Sequence, residues 1–296
     1  MSERLVKIRA RFRELHRDGC FVLPNPWDDG TARLFQFLGF DAVASTSTGY
    51  AWANGRPDYA VSRADGLSHL MSLSSAVDIP VNADFESGFA SDSEGVAESV
   101  RLEIEARVAG LSIEDRDVDG GGLYDAARSL ERLKSARAAI DGSGTGVVLV
   151  ARTEGLLVDP AAVKPAIAKL VAFAEAGADC LYAPSVRDAA HIAEMVCAVA
   201  PTSLNVVMMR PGLSVAELAG LGVRRVSVGG ALARVMWAAV ASAARDLKEG
   251  RLDGVVKSGS SVRPNAVFGP DGGLPPIDDF QLQSGCVTCC VGSRLT

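Results

Sequence analysis

Short runs of β-branched and apolar residues alternate along this chain with longer, Ala-rich stretches whose apolar positions recur at helical spacing. Eight such runs stand at 21–23, 42–46, 79–84, 111–114, 147–152, 180–183, 204–208 and 225–228. Helix-like stretches occupy 31–38, 63–74, 91–109, 129–140, 161–176, 189–198, 214–219 and 231–249. Regular alternation of this kind demands parallel strands joined by right-handed crossovers, and eight is the number at which such a sheet closes on itself. The expectation is an α/β chain with a single (β/α)8 barrel over residues 1–249, followed by an irregular Gly/Pro/Ser-rich extension over 250–296. A doubly wound open sheet would carry a glycine-rich phosphate turn after its first strand, where this chain reads N-P-W-D-D-G. Gly39, Gly110, Gly177 and Gly222 each follow the last apolar helical position and are expected to be left-handed C-caps.

The charge balance, 30 Lys+Arg against 36 Asp+Glu, excludes a broad nucleic-acid or anionic-membrane surface, because such surfaces need clustered cations. No apolar stretch reaches the roughly 18 residues of a membrane span, and the first thirty residues hold no signal-like apolar run, so the expected location is cytoplasmic. Six cysteines are too sparse for a disulfide framework. Cys286, Cys289 and Cys290 form a C-x-x-C-C cluster, but with only His16, His69 and His191 in the chain it reads as part of a solvated tail, not a zinc site.

In an α/β barrel the reactive groups stand at the C-terminal ends of the strands. Here those ends hold Ser47-Thr48-Gly49, then Asp84 and Glu86, Glu114, Arg152, and on the seventh strand Asn205. Asp84, Glu86 and Glu114, with no histidine or cysteine beside them, make an oxygen-only environment suited to Mg²⁺ or Mn²⁺. Arg152 closes an otherwise apolar strand and suits bidentate capture of a carboxylate, with a salt bridge to Glu114 or Glu154 as its structural alternative. Ser47, Thr48 and Gly49 offer hydroxyls and backbone N–H groups to an anionic oxygen. Trp27, Tyr50, Trp52 and Tyr182 are the candidates for shaping substrate specificity.

These residues lie in motifs that resemble the isocitrate lyase and phosphoenolpyruvate mutase superfamily: L-P-N-P-W-D, S-T-S-T-G-Y-A followed by G-R-P-D, V-N-A-D-F-E-S-G-F, S-I-E-D, A-R-T-E, E-A-G-A-D, L-N-V-V and G-V-R-R-V-S-V-G. In order, they cover roughly residues 20 to 245. The resemblance implies a (β/α)8 barrel, Mg²⁺ and a small 2-oxo acid or its enolate. By position it makes Ser47, Thr48 and Gly49 substrate-oxygen ligands, places Asp58 near the reacting atoms, assigns Asp84 and Glu114 to the metal and Arg152 to the substrate carboxylate. Asn205 is counted with the substrate-binding groups.

Two departures from the family pattern stand out. Asn82 occupies a position that is often Asp, which makes Glu86 the expected substitute metal ligand. The loop after strand four reads R-D-V-D-G-G-G-L-Y, without the Lys-Lys-Cys-Gly-His motif of isocitrate and methylisocitrate lyases or the Asn-containing loop of the mutases, so Tyr124 or Asp117 becomes the candidate proton donor. The expected activity is a Mg²⁺-dependent C–C bond lyase or decarboxylase acting on a small 2-oxo or 2-hydroxy di- or tricarboxylate. The alternatives are a P–C bond enzyme, such as a phosphonopyruvate hydrolase or mutase, and a catalytically reduced 2-oxo-acid-binding protein. A homo-oligomer, dimer or tetramer, is expected to form around the helix at 231–249 through Val235, Trp237 and Val240, since Pro264, Pro270, Pro275 and Pro276 interrupt any second long helix.

Overall fold

The computed structural model describes residues 2–252, Val255 and 264–268. The cysteine cluster at 286, 289 and 290 lies outside the described residues, as do Pro270, Pro275 and Pro276. Eight parallel strands form one sheet: Phe21–Leu23 (β1), Val43–Ala44 (β2), Val81–Asp84 (β3), Gly110–Glu114 (β4), Val148–Arg152 (β5), Cys180–Tyr182 (β6), Ser203–Val207 (β7) and Arg225–Ser227 (β8). Each falls within or beside one of the eight apolar runs. Neighbours follow the order β1-β8-β7-β6-β5-β4-β3-β2. At the remaining seam the Ala44 N–H donates to the Pro24 carbonyl at 3.1 Å, and Asn25 Nδ2 donates to the Ser45 carbonyl at 3.0 Å, which brings the sheet round into a barrel.

Among the described residues the helices are Glu3–Leu15 (α1), Asp29–Phe37 (α2), Ser47–Ala53 (α3), Arg63–Ala76 (α4), Ser93–Glu105 (α5), Ala126–Ser143 (α6), Gly155–Val158 (α7), Val163–Glu175 (α8), Ala189–Val199 (α9), Val215–Gly220 (α10), Ala231–Lys248 (α11) and Pro264–Phe268 (α12). Loops leading out of the barrel hand over to helices at Asp28, Ser62, Asp92, Asp125, Asp188 and Ser214, whose side chains accept backbone N–H groups of the first turn. Asp28 with Thr31, and Ser214 with Glu217, complete reciprocal capping boxes. Gly39, Gly177 and Gly222 have positive φ, as a left-handed cap requires. Gly110 does not: it begins β4, and the left-handed position after α5 is Arg107, with φ 69°. A Cβ at Gly110 would stand 2.6 Å from Phe12 and 2.8 Å from Asn82 Oδ1, so close approach inside the barrel, not helix termination, requires glycine there.

Alternation along the strands separates two cores. Leu111, Ile113, Leu149, Ala151, Leu181, Leu204, Val206 and Val226 face the helices in one large apolar cluster. Phe21, Leu23, Ala42, Ala44, Val148, Val150 and Cys180 face inward and close around Phe12 of α1, which plugs the end of the barrel where the strands begin. Since side chains two apart share a face, Val148 and Val150 carry Arg152 inward, and Val226 facing out turns Arg225 and Ser227 in. The chain divides into units at Ser242/Ala243, the first running Met1–Ser242 and holding the whole barrel. Among the described residues no helix is long and apolar enough to cross a membrane.

Candidate active site

Because the strands are parallel and in register, the inward residues of five adjacent strands form one row: Arg225 of β8 pairs with Asn205 of β7, Asn205 with Tyr182 of β6, Tyr182 with Arg152 of β5, and Arg152 with Glu114 of β4. Above this row opens a cavity of about 100 Å³ whose lining includes Ser47, Thr48, Asp58, Asp84, Arg152 and Arg225. That is far below the roughly 300 Å³ at which pockets for drug-sized ligands begin, so the space suits a small acid.

Asp84 ends β3 and is held by α3, the helix that begins immediately beside it. The Ser47 N–H and hydroxyl both donate to Asp84 Oδ2, at 3.1 and 2.9 Å, while Arg152 Nη1 reaches Oδ1 at 3.2 Å. Thr48 donates its hydroxyl to Asp58, whose carboxyl is pushed above the ordinary range by burial and by the neighbouring Asp84 charge. Arg152 is surrounded by acids: its Nε lies 2.5 Å from Glu154 and 3.2 Å from Glu114, and the Tyr182 ring lies 5.1 Å from its guanidinium carbon. Behind the row, Tyr59 donates to Glu114 at 2.7 Å, and Arg116 stacks over the Tyr59 ring at 4.7 Å.

Too many carboxylates meet here for the cations present. Burial, reinforced by Asp84 and Glu114, pushes the Glu86 carboxyl up to about 8. Burial also raises Glu114 to about 8, against the pull of Arg152. Glu86 Oε1 is buried with no hydrogen-bond partner, and both Tyr59 and Glu86 hold left-handed φ values of 62° and 49° without being glycine. Strain and unsatisfied charge of this kind cluster where a ligand is to be bound. The oxygen-only donor set and the orphaned Glu86 oxygen fit a hard divalent cation. Among the described residues, however, no three Asp, Glu, His or Cys side chains are grouped to hold an ion unaided. The expected trio of Asp84, Glu86 and Glu114 is therefore not a preassembled shell: Glu114 is engaged by Tyr59 and Arg152, and Glu86 faces an adjoining apolar pocket with Tyr50 and His69. Water would have to complete the coordination, as Mg²⁺ commonly allows.

The model of the phosphoenolpyruvate phosphomutase family matches residues 12–248. This chain belongs to that family. Within the isocitrate lyase and phosphoenolpyruvate mutase superfamily it is an enzyme whose named homologues include lyases. A candidate lyase/mutase from Burkholderia cenocepacia J2315 superposes with a TM-score of 0.85 at 41% identity, covering 90% of this chain and 96% of the other. 2,3-Dimethylmalate lyase, a member of the same superfamily, superposes with a TM-score of 0.78 at 25% identity, covering 90% and 94%. Oxaloacetate decarboxylase from Pseudomonas aeruginosa is 29% identical over 228 residues, 74% of this chain and 78% of its own.

Within this family member, Ser47, Thr48, Asp58, Asp84 and Arg152 come together at the cavity; Glu86 and Glu114 stand beside it without lining it, and Gly49, Tyr124 and Asn205 do not reach it. Gly49 is packed beneath it, where a Cβ would stand 2.6 Å from Thr46, and its N–H is spent on the Thr46 hydroxyl at 3.2 Å. Tyr124 is 5% exposed, has the guanidinium carbons of Arg128 and Arg132 over its ring at 4.8 and 4.2 Å, and does not line the cavity. The loop that carries it is drawn into a small antiparallel ribbon, Arg116–Asp117 with Gly122–Leu123, and Asp117 closes its turn by accepting from Gly120 N at 2.9 Å. Asn205 is fully buried one layer below the mouth, donating to Ser227 Oγ at 3.1 Å and accepting from Arg225 Nε at 2.9 Å. Of the four specificity candidates only Tyr182 lines the cavity.

Sequence reasoning missed three contributors. Arg225 lines the floor. Tyr59 grips Glu114. Asp115 accepts from Lys169 at 2.6 Å, the Thr153 hydroxyl at 2.7 Å and the Glu154 N–H at 2.8 Å, so it fixes the loop that presents Arg152 and Glu154. Only Arg225 left a signal: a charge inside the run R-R-V-S-V, at the parity of Ser227.

Proposed function

We propose that this enzyme is a C–C bond lyase or decarboxylase, assisted by a divalent cation, acting through an enolate on a small 2-oxo or 2-hydroxy di- or tricarboxylate. The observation that carries this reading is the meeting, around one small cavity, of a carboxyl whose proton affinity burial raises, Asp58, with a guanidinium suited to orienting an anion, Arg152. Homology to a decarboxylase and a dimethylmalate lyase supports the same chemistry. Mg²⁺, or Mn²⁺ in its place, would be held by Asp84 with Glu86 and Glu114 behind it, and when bound supplies electrophilic stabilisation of a developing oxyanion.

The chain's own side chains account for the rest. Ser47 fixes Asp84 through two hydrogen bonds, and Thr48 fixes Asp58 through one. Arg152 Nη2, the end of the guanidinium not spent on an acid, receives the carboxylate next to the reacting carbon. With a 2-oxo substrate the electron pair of the breaking C–C bond moves into the 2-oxo group, the other fragment leaves as CO₂, and Asp58 delivers its proton to the enolate carbon to give the 2-oxo acid. With a 2-hydroxy substrate ionised Asp58 takes the hydroxyl proton as the C–C bond breaks, so that C2 becomes the 2-oxo acid, while the electron pair moves into the carboxylate of the other fragment, whose enolate carbon then takes the proton back from Asp58. The proposed assembly is a dimer or tetramer built on α11, where Val235, Trp237 and Val240 are 66%, 43% and 52% exposed.

Incubation with Mg²⁺ and, in turn, oxaloacetate, methylisocitrate, dimethylmalate and phosphonopyruvate tests the activity. Pyruvate or another 2-oxo acid released from one of the first three is the expected result. Phosphate released from phosphonopyruvate alone would establish P–C chemistry, and binding without any turnover would establish a binding protein.

A further inference from the structure

We propose that Arg225 binds a second carboxylate of the substrate, so that the preferred ligands are short dianionic acids with one carboxylate at Arg152 and the other at the cavity floor. This rests on the reading of the cavity as the substrate site of a 2-oxo-acid enzyme. It concerns which acids fit, not which bond breaks.

Two arginines line the cavity, and their surroundings differ. Arg152 already neutralises Asp84, Glu114 and Glu154. Arg225 is 3% exposed, and its protein partners are both neutral: Nε donates to Asn205 Oδ1 at 2.9 Å and Nη1 to Asn82 Oδ1 at 3.3 Å. Among the described residues no carboxylate forms an ion pair with it, and Asp84 acts on it only at longer range. Of its five N–H donors two are thus spent, which leaves an Nη1/Nη2 edge with the fork geometry that matches a carboxylate.

A buried cation without a counter-ion is costly unless something else brings the negative charge. Among the described residues the inside of the barrel brings no carboxylate within ion-pairing distance of Arg225, Asp84 being the one that acts on it from further off. Asn82 stands where a carboxylate would have served, and Asn205 on the other side is also an amide; Ser112 and Ser227 add only hydroxyls to the floor. Both amides turn their oxygens to the guanidinium and their nitrogens elsewhere, Asn205 to Ser227 and Asn82 to the Ala83 carbonyl at 3.0 Å. They therefore hold the guanidinium in place without neutralising it. Because the cavity opens onto Arg225, the missing charge can come from a ligand. A space of about 100 Å³ limits that ligand to a few carbons between its two acidic ends.

Calorimetric titration of the full-length protein with malate and with lactate isolates the distal carboxylate, since both carry the same 2-hydroxy acid head. Wild type is expected to bind malate at least about tenfold more tightly than lactate. Arg225→Gln, which removes the cation, and Asn205→Asp, which places a carboxylate against it from within, are each expected to reduce that ratio to about threefold or less. Thermal melting verifies folding; should Arg225→Gln fail to fold, Asn205→Asp decides. No malate preference in wild type, or an unchanged preference in a folded variant, overturns the proposal. A preserved malate preference without release of a 2-oxo acid from any substrate would instead overturn only the lyase reading.

Discussion

At the end of the barrel where the strands begin, α1 lays Phe12 into the interior against His16 and Phe21, with edge-to-face rings 4.7 and 6.3 Å away, and two of its arginines reach backbone carbonyls of the strand starts. Arg9 donates to the carbonyls of Val108 and Ile104 at 2.9 and 3.0 Å, and Arg13 to those of Gly146 and Val147 at 2.7 and 3.1 Å. His16 is kept neutral, its pKa lowered to about 3 chiefly by burial. At the opposite end, acids crowd one another, Glu86 has an unpartnered oxygen, and Tyr59 and Glu86 hold left-handed backbone; Arg225, first residue of β8 and in register with Phe21, lies deeper, between the mouth and the plug. The same eight strands thus end in a neutral, packed plug on one side and in unbalanced charge on the other. The plug is not free of such features, since His16 Nε2 is buried without a hydrogen-bond partner and Arg107 holds a φ of 69°, but unbalanced acidic charge gathers at the mouth, where a ligand can complete the structure.

Three substitutions probe this division. Phe12→Ala is expected to cost about 3–5 kcal/mol of stability by opening a cavity in the plug, with kcat/KM of the folded protein near wild type. Urea unfolding beside steady-state kinetics measures both. A loss of activity without loss of stability would show that the two ends are not independent.

Arg152→Lys is expected to lower kcat/KM by one to three orders of magnitude, roughly 1.4–4 kcal/mol, because lysine keeps the charge but loses the fork that meets several acids at once. Activity close to wild type would make Arg152 a structural neutraliser and leave substrate capture to Arg225.

Glu86→Gln is the mildest change and carries a pH signature. With its folded value near 8, Glu86 retains in the native state a proton that the unfolded chain has lost above about pH 4.5. Stability of the wild type therefore falls as pH rises between those values. Glutamine removes that dependence, so its advantage should grow from pH 5 to pH 8 and reach about 1–3 kcal/mol. Denaturation at pH 5, 6.5 and 8 with a chelator present reads it out. An advantage that does not change with pH would mean that Glu86 is ionised in the fold, already sharing the charge imbalance attributed to the mouth.

Much of this arrangement was legible before any coordinates. The eight strands were readable because burial on both faces writes a continuous apolar run, and most of the helices because they carry a polar face, a cap residue and a stop. α1 escaped notice through its density of arginines, whose partners are carbonyls far along the chain. α3 escaped because Ser47-Thr48-Gly49 reads as a loop, while its first turn is in fact organised by the Thr46 cap and by Asp84. Tyr124 fell outside the cavity because a flexible glycine loop and a two-stranded ribbon have the same composition.

By itself the sequence determined the barrel, the strand ends and the identities of Ser47, Thr48, Asp84 and Arg152 as groups at its mouth, since these follow from periodicity along the chain and from which end of a parallel strand is open; Asp58 was reached only through the family resemblance. Only the tertiary structure decided which charges meet. Arg225 is brought to Asn205, 20 residues away, by the pairing of β8 with β7, and to Asn82, 143 residues away, across the interior by the curling of the sheet. Arg152 meets Glu154 within its own segment, but Glu114 and Asp84 only through the lateral pairing of β5, β4 and β3. Local spacing fixes the face on which a side chain stands, but electrostatic balance depends on distances across the barrel, and those exist only after the first and last strands have come together.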